Sequence, residues 1–385
     1  MWLLVLIYVA FISLGLPDGL LGSSWPVMHL EINAPLESAG IISFSIAMGT
    51  IVSSAISARL TKRFGTGKII VVSVAMTAIA LIGYSFSSSM LELILWSIPL
   101  GLGAGAIDAA LNNYVALHYS AKHMNWLHSF WGLGATGGPL ILSFVLMFNG
   151  TWRNGYTLVG SLQVLLVIIL MFSVKYFINE NDNDDIEKDE IIVSNYQALK
   201  IKGVKYVAFL FLLYCSLEAS TGIWAASFLT TTKGVSTSDA ALWTSLYYFG
   251  ITGGRFIAGL ISNRIKSTTL ISVGMIIILI GAFFLLIGTS KYVSLTGMIL
   301  IGLGCAPIFP NLIHLIPKRF GSNVSQVVIG LSMVFAYIGI LLAPPFVGFI
   351  SKYVGLGIMP IFIVSIIIIM IGTNQVLMKR IPIKE

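Results

Sequence analysis

Charge is scarce in this chain. Asp, Glu, Lys and Arg make up 10% of its 385 residues, whereas soluble domains carry about 25%. That excludes an ordinary soluble domain. With 57% hydrophobic residues and a mean hydropathy of +0.95, the main solvent is lipid. Cysteine is scarcer still. Cys215 and Cys305 both sit inside apolar runs, where they read as small packing residues. A disulfide framework is not expected, and no Cys/His group has zinc spacing. No nucleophile–base spacing and no soluble catalytic stretch is evident, so an enzyme is not expected and no cofactor is implied. The net charge of +7 does not point to nucleic acid, because the basic residues form no patch with interleaved aromatics. The first stretch, MWLLVLIYVAFISLG, has no basic leader and no cleavage site, so it is read as a retained helix.

Long apolar runs are what the chain has instead. A helix needs about 20 mostly apolar residues to cross a bilayer. By that measure twelve spans are predicted, at 3–27, 37–60, 68–86, 92–117, 126–148, 156–178, 205–230, 240–262, 268–289, 293–316, 324–350 and 354–378. Most connections are short. The exception contains NENDNDDIEKDE and then a Lys-rich stretch; a block of like charge is normally solvated. The expected organisation is therefore an N-terminal six-helix bundle at 1–178, a cytoplasmic linker at 179–204 and a C-terminal six-helix bundle at 205–385. Placing the loops alternately, 17 of the 22 Lys and Arg fall on one side and 4 on the other, with Arg255 left inside a span. Cytoplasmic loops carry the excess of Lys and Arg, so both termini are expected in the cytoplasm, in a multi-pass protein of the plasma (inner) membrane. The basic collar then faces anionic lipid.

The two halves repeat each other at an offset near 200. Asp18 and Trp25 match Glu218 and Trp224; LTKRFGTGKI (60–69) matches ISNRIKSTTL (261–270); GLGAGAIDAALNN (101–113) matches GLGCAPIFPNLIH (302–314); and Pro139 in GLGATGGP matches Pro344 in IGILLAPP. Four weak matches in one order indicate duplication. Six helices is an even number, so both copies face the same way, and a binding site is expected between them near the midplane. An arrangement that opens to either side suits a transporter. A fixed pore or a sensor does not call for it.

Three carboxylates lie within spans: Asp18, Asp108 and Glu218. Ionisable groups inside a membrane mark sites or proton relays by default. Burial penalises the charged form of a carboxylate, so such a group can load and release a proton as its access alternates; it can also be neutral, or paired. Arg255 either snorkels to the interface or pairs with a carboxylate across the halves. His128 is a cavity residue or a packed one, and Asn311 with His314 occupies the matching end of span ten. Trp25, Trp126, Trp152 and Trp243 lie near span ends and fit an interfacial belt. Trp131, Trp224, Tyr247 and Tyr248 lie deeper, as core packing or as flat faces for a sugar ring.

Taken together, the basic loop ARLTKRFGTGK (58–68) and the duplicated six-helix pattern resemble the major facilitator superfamily over essentially the whole chain. Lys62 stands where that family usually has Asp. Within it, AGAIDAALNNYVA (104–116) followed by NWLHSFWGLGA resembles the fucose–proton symporter branch and related sugar permeases. There a helix-four acidic residue precedes an alanine pair, an Asn and a Tyr, as Asp108, Ala109, Ala110, Asn112 and Tyr114 do here, with Asp in place of the usual Glu. Asp18 is the counterpart of the branch's helix-one Asp. The resemblance implies an all-α fold of twelve transmembrane helices in two pseudo-symmetric bundles. It also implies proton-coupled symport of a sugar or similar small polar solute, by a monomer that binds no nucleic acid. Proton coupling falls to Asp18, Asp108 and Glu218. Solute contact falls to Asp108, Asn112, Asn113, His128, Trp131, Trp224 and Asn311, and Arg255 is a charge-pair candidate. The alternative is a proton-driven drug or metabolite exporter, since GLGATGGP is partly like the antiporter Gly–Pro motif.

Overall fold

Glycine, serine and threonine decide how closely the helices of this protein approach one another. A computed structural model describes residues 2–119, 121–177, 199–261, 264–288 and 290–382. Its helices are α1 (Trp2–Gly15), α2 (Leu20–Glu31), α3 (Ala39–Phe64), α4 (Thr66–Phe86), α5 (Met90–His118), α6 (Ala121–Met147), α7 (Trp152–Ser173), α8 (Val204–Lys233), α9 (Thr237–Ile261), α10 (Ser267–Ile287), α11 (Lys291–Cys305), α12 (Ile308–Phe320), α13 (Ser322–Val354) and α14 (Ile358–Arg380). Among the described residues, 11 stretches are long and apolar enough to cross a membrane. The expected eighth span is not one of them. It is a 25-residue helix all the same, α9, but Arg255 and its Ser, Thr, Gly, Trp and Tyr residues dilute its hydropathy. Most of the expected linker at 179–204 lies outside the described residues.

The first span, expected as one helix over 3–27, is two. The chain turns at Leu16–Gly19 between α1 and α2, with Asp18 N–H bonded to Gly15 O at 3.1 Å and Leu20 N–H to Pro17 O at 3.1 Å. Pro17 is the cause. It has no N–H for the carbonyl four residues back, Ser13. That carbonyl is satisfied from another helix: Gln163 Nε2 of α7 donates to Ser13 O at 2.7 Å, while Gln163 Oε1 accepts from Thr77 of α4 at 2.6 Å. An unpaired carbonyl in an apolar core costs free energy comparable to a lost hydrogen bond, so the buried Gln163 stabilises the break. The expected span 293–316 is likewise divided, into α11 and α12, at Ala306–Pro307.

The structure separates into two compact units. One comprises Met1–Ile186, Ala225–Thr230 and Val235–Ser245; the other comprises Glu187–Trp224, Thr231–Gly234 and Leu246–Glu385. In the first unit, α5 packs on α3 with almost no spacing. A Cβ at Gly101 would strike the Ile46 carbonyl, and one at Gly105 the Thr50 carbonyl. This is the small-xxx-small contact that lets membrane helices meet backbone to backbone. Three hydroxyls of α3 fasten it: Thr50 to Gly101 O at 3.3 Å, Ser54 to Gly105 O at 3.1 Å and Ser57 to Ala106 O at 3.3 Å. α1 and α6 meet in the same way. A Cβ at Gly15 would strike the Trp131 carbonyl, and one at Gly134 the Ile12 carbonyl.

Trp25 and Trp152, expected in an interfacial belt, are fully buried, and Trp243 is 6% exposed. Trp25 Nε1 donates to Leu36 O at 2.6 Å. Trp152 Nε1 donates to Glu31 Oε2 at 2.5 Å, and Arg153 pairs with Glu31 Oε1 at 2.9 Å. The Arg153 Nη1 group also reaches the carbonyls of Ser85, at 3.0 Å, and Ser87, at 2.5 Å, at the end of α4. Position near a span end gives a tryptophan's depth but not the helix face it lies on; these three turn inward. Trp126, 47% exposed, remains as the belt expectation has it.

Candidate functional site

Polar groups in an apolar bundle fall into two kinds, those shut inside and those left accessible. In the first unit, Asp18 at the α1–α2 turn is exposed. Its Oδ2 accepts from Trp131 Nε1 of α6 at 2.7 Å. His128, one turn earlier on α6, is exposed and packs edge to face on Phe11, ring centres 6.0 Å apart. On α5, Asp108 and Asn112 are half-buried and Asn113 is exposed. Asn112 Nδ2 donates to Asp108 Oδ1 at 3.0 Å and to Asp108 O at 2.9 Å. The spacing of four residues places them on one helix face. The amide therefore holds the carboxylate in place and leaves its second oxygen available for a proton or a hydroxyl.

In the second unit the charged pair is half-buried, as Asp108 is in the first. Glu218 Oε1 lies 3.7 Å from Arg255 Nη2, with side chains 19% and 16% exposed, a separation beyond hydrogen-bonding distance. The pair forms within this unit, between α8 and α9. Tyr247 Oη donates to Glu218 O at 3.2 Å, and Tyr214 is fully buried one turn before Glu218. Trp224 is fully buried and donates to Pro344 O at 2.9 Å. Asn311 is 9% exposed and donates to Pro307 O at 2.7 Å. Cys215 and Cys305 are free and buried. At the repeat position of Asp108 stands Phe309, packed against Phe211 at 5.2 Å and Tyr214 at 5.9 Å between ring centres.

The structure thus brings Asp18 to Trp131, Asp108 to Asn112 and Glu218 to Arg255. Gln163, bonded to the Ser13 carbonyl before the Asp18 turn, and Tyr214, one turn before Glu218, are neighbours of the candidate residues that span-by-span reading misses. Both are polar residues within apolar spans, and that was the available signal. Removing one member of a fully buried ion pair costs about 3–5 kcal/mol, while removing both is often close to neutral; for this half-buried pair the cost of the single change is expected to be smaller but of the same sign. Arg255→Met is therefore expected to lower the thermal stability of the purified protein, and Glu218→Gln in the same chain to restore most of it. If the double variant were no more stable than Arg255→Met alone, the two groups would not be an energetic pair.

Comparison with known proteins follows the same division into fold and residues. The Major Facilitator Superfamily model matches residues 7–344 and 208–381. The chain is 23% identical over 333 residues to the glucose/mannose transporter GlcP of Bacillus subtilis, covering 84% of this chain and 82% of that one. It is 24% identical over 305 residues to a glucose/galactose transporter of Brucella abortus, covering 74% and 73%. Among solved structures, a D-xylose–proton symporter superposes with a TM-score of 0.78 at 14% identity, over 99% of this chain and 97% of that one.

Proposed function

The chain belongs to the Major Facilitator Superfamily, and on that premise we propose that it is a secondary transporter carrying a sugar or similar small polar solute together with a proton, by alternating access. The observation that carries the reading is the accessible polar set of the first unit: Asp18, Asn113 and His128 exposed, with Asp108 half-buried between them in sequence. A carboxylate facing hydrocarbon at mid-span is costly, so these groups face water or solute. Their chemistry suits a polyol. Carboxylates and amides accept and donate hydrogen bonds to hydroxyls, and the Trp131 ring offers an apolar face. The sugar class is supported by relatives named for glucose, mannose and galactose. The proton is supported by Asp108, an ionisable group within a span that is bonded to the neutral amide of Asn112. The Gly–Pro stretch of α6 is accounted for by packing, since Gly134 lies against the Ile12 carbonyl of α1 and Gly138 against the Leu16 carbonyl at the α1–α2 turn. It does not of itself favour an exporter. The distribution of Lys and Arg supports cytoplasmic termini.

The test is uptake of labelled D-glucose, D-mannose, D-galactose, L-fucose and D-xylose into proteoliposomes under an imposed pH gradient. At least one sugar is expected to accumulate above its equilibrium level, and a protonophore is expected to collapse the accumulation. Accumulation of none of them overturns the sugar reading. Accumulation driven by a sodium gradient and indifferent to pH overturns the proton.

A further inference from the structure

We propose that Trp131 is the positioning residue of Asp18, holding its carboxylate at the α1–α2 turn, and that the state of the indole reports whether Asp18 carries a proton. An indole has one N–H and no acceptor. Here that N–H is given to Asp18 Oδ2 at 2.7 Å. The two residues are 113 apart in sequence, and neither end of the bond is loose. α1 and α6 meet backbone to backbone at Gly15 and Gly134, Gly19 lies against Pro139, and Gln163 secures the carbonyl that Pro17 leaves open. A donor fixed in place bonds better to a carboxylate oxygen than to the same oxygen once protonated. A proton on either oxygen of Asp18 therefore weakens the Trp131 hydrogen bond and shifts the surroundings of the indole.

Other titratable groups on the elements packed against this turn have their own engagements. Tyr8 is bonded to His123 at 2.8 Å, Asp108 to Asn112, and Glu31 to Trp152 and Arg153. Tyr84 and Tyr156 are stacked on each other. His128 remains the neighbour to control for, one turn before Trp131 on the same helix. This assignment rests on the proton-coupled reading for its function but not for its geometry, and the two are tested apart.

The geometry is read by fluorine NMR of protein carrying 5-fluorotryptophan at its eight Trp positions, in nanodiscs, titrated from about pH 4 to 9. Trp131→Phe identifies the resonance by its loss. That resonance is expected to follow a single titration in the wild-type and His128→Gln proteins and to stay still in Asp18→Asn. Unchanged positions of the other resonances show that each variant is folded. A Trp131 resonance that does not titrate, or that titrates identically in Asp18→Asn, overturns the proposal. The function is read with D-glucose. Trp131→Phe, which keeps an aromatic ring, is expected to lose about tenfold or more of gradient-driven accumulation, the effect of one hydrogen bond to a charged group. Full accumulation by Asp18→Asn would defeat proton coupling at Asp18 and leave the positioning assignment to stand on its titration. Full accumulation by Trp131→Phe would defeat the positioning role itself.

Discussion

Replacing Asp108 by Asn is expected to remove gradient-driven accumulation while downhill exchange of the solute stays measurable, at a weaker apparent affinity because Asp108 is also a solute-contact candidate. The substitution conserves volume and keeps an oxygen for the Asn112 amide, which now reaches Asp108 Oδ1 at 3.0 Å. What it removes is the ability to take up and release a proton. At one proton per solute, a gradient of one pH unit supports about a tenfold accumulation, because about 1.4 kcal/mol is a factor of ten. In the variant that ratio should fall to one, whatever the gradient. The helix that carries Asp108 is held to α3 by Gly101, Gly105 and the hydroxyls of Thr50, Ser54 and Ser57, none of which the substitution touches. A loss of coupling is therefore not expected to be a loss of folding. Undiminished accumulation by Asp108→Asn, measured beside wild-type protein in the same liposomes, would remove Asp108 from the coupling mechanism.

The second large effect concerns glycine, and its sign depends on position. Gly134→Leu is expected to destabilise the protein by about 1–3 kcal/mol, the usual range for overpacking, or to prevent folding. The added Cβ meets the Ile12 carbonyl and the Gly15 Cα, backbone atoms that cannot rotate away. Gly134→Ala, with the same first atom, should show the lower part of that range. At Gly253, in the middle of α9, nothing lies within 4 Å of an added Cβ. Alanine is the better helix former by about 0.8–1.0 kcal/mol in water, so Gly253→Ala should be neutral or stabilising. Thermal unfolding of the two alanine variants in one detergent decides the matter. Equal shifts would show that backbone contact between α1 and α6 is not what requires glycine at 134.

These contacts also mark the limit of what could be read before the fold was known. The helical class, the membrane solvent and the duplication were legible, because apolar length and repeated motifs are properties of contiguous sequence. The break in the first span was signalled by Pro17 but lost to a criterion based on length. Partnerships were harder. Asp18 and Trp131 were each picked out, one for protons and one for solute, yet nothing in two separate stretches says that they share a hydrogen bond. Trp25 and Trp152 were placed by depth alone, and the structure turns them inward to a carbonyl and a carboxylate. For Arg255 the sequence allows snorkelling or pairing with a carboxylate across the halves; its carboxylate neighbour, Glu218 at 3.7 Å, is in the same unit instead. Gln163 went unnoticed because its task, satisfying the Ser13 carbonyl, exists only once Pro17 has bent the helix beside it.

The Glu31, Trp152 and Arg153 cluster has a mechanical meaning. One carboxylate of α2 takes bonds from both residues that open α7, and the same arginine grips the last carbonyls of α4. Three helix ends are thereby bolted at a single point. Separating any one of the three ends from the other two breaks at least one of these bonds.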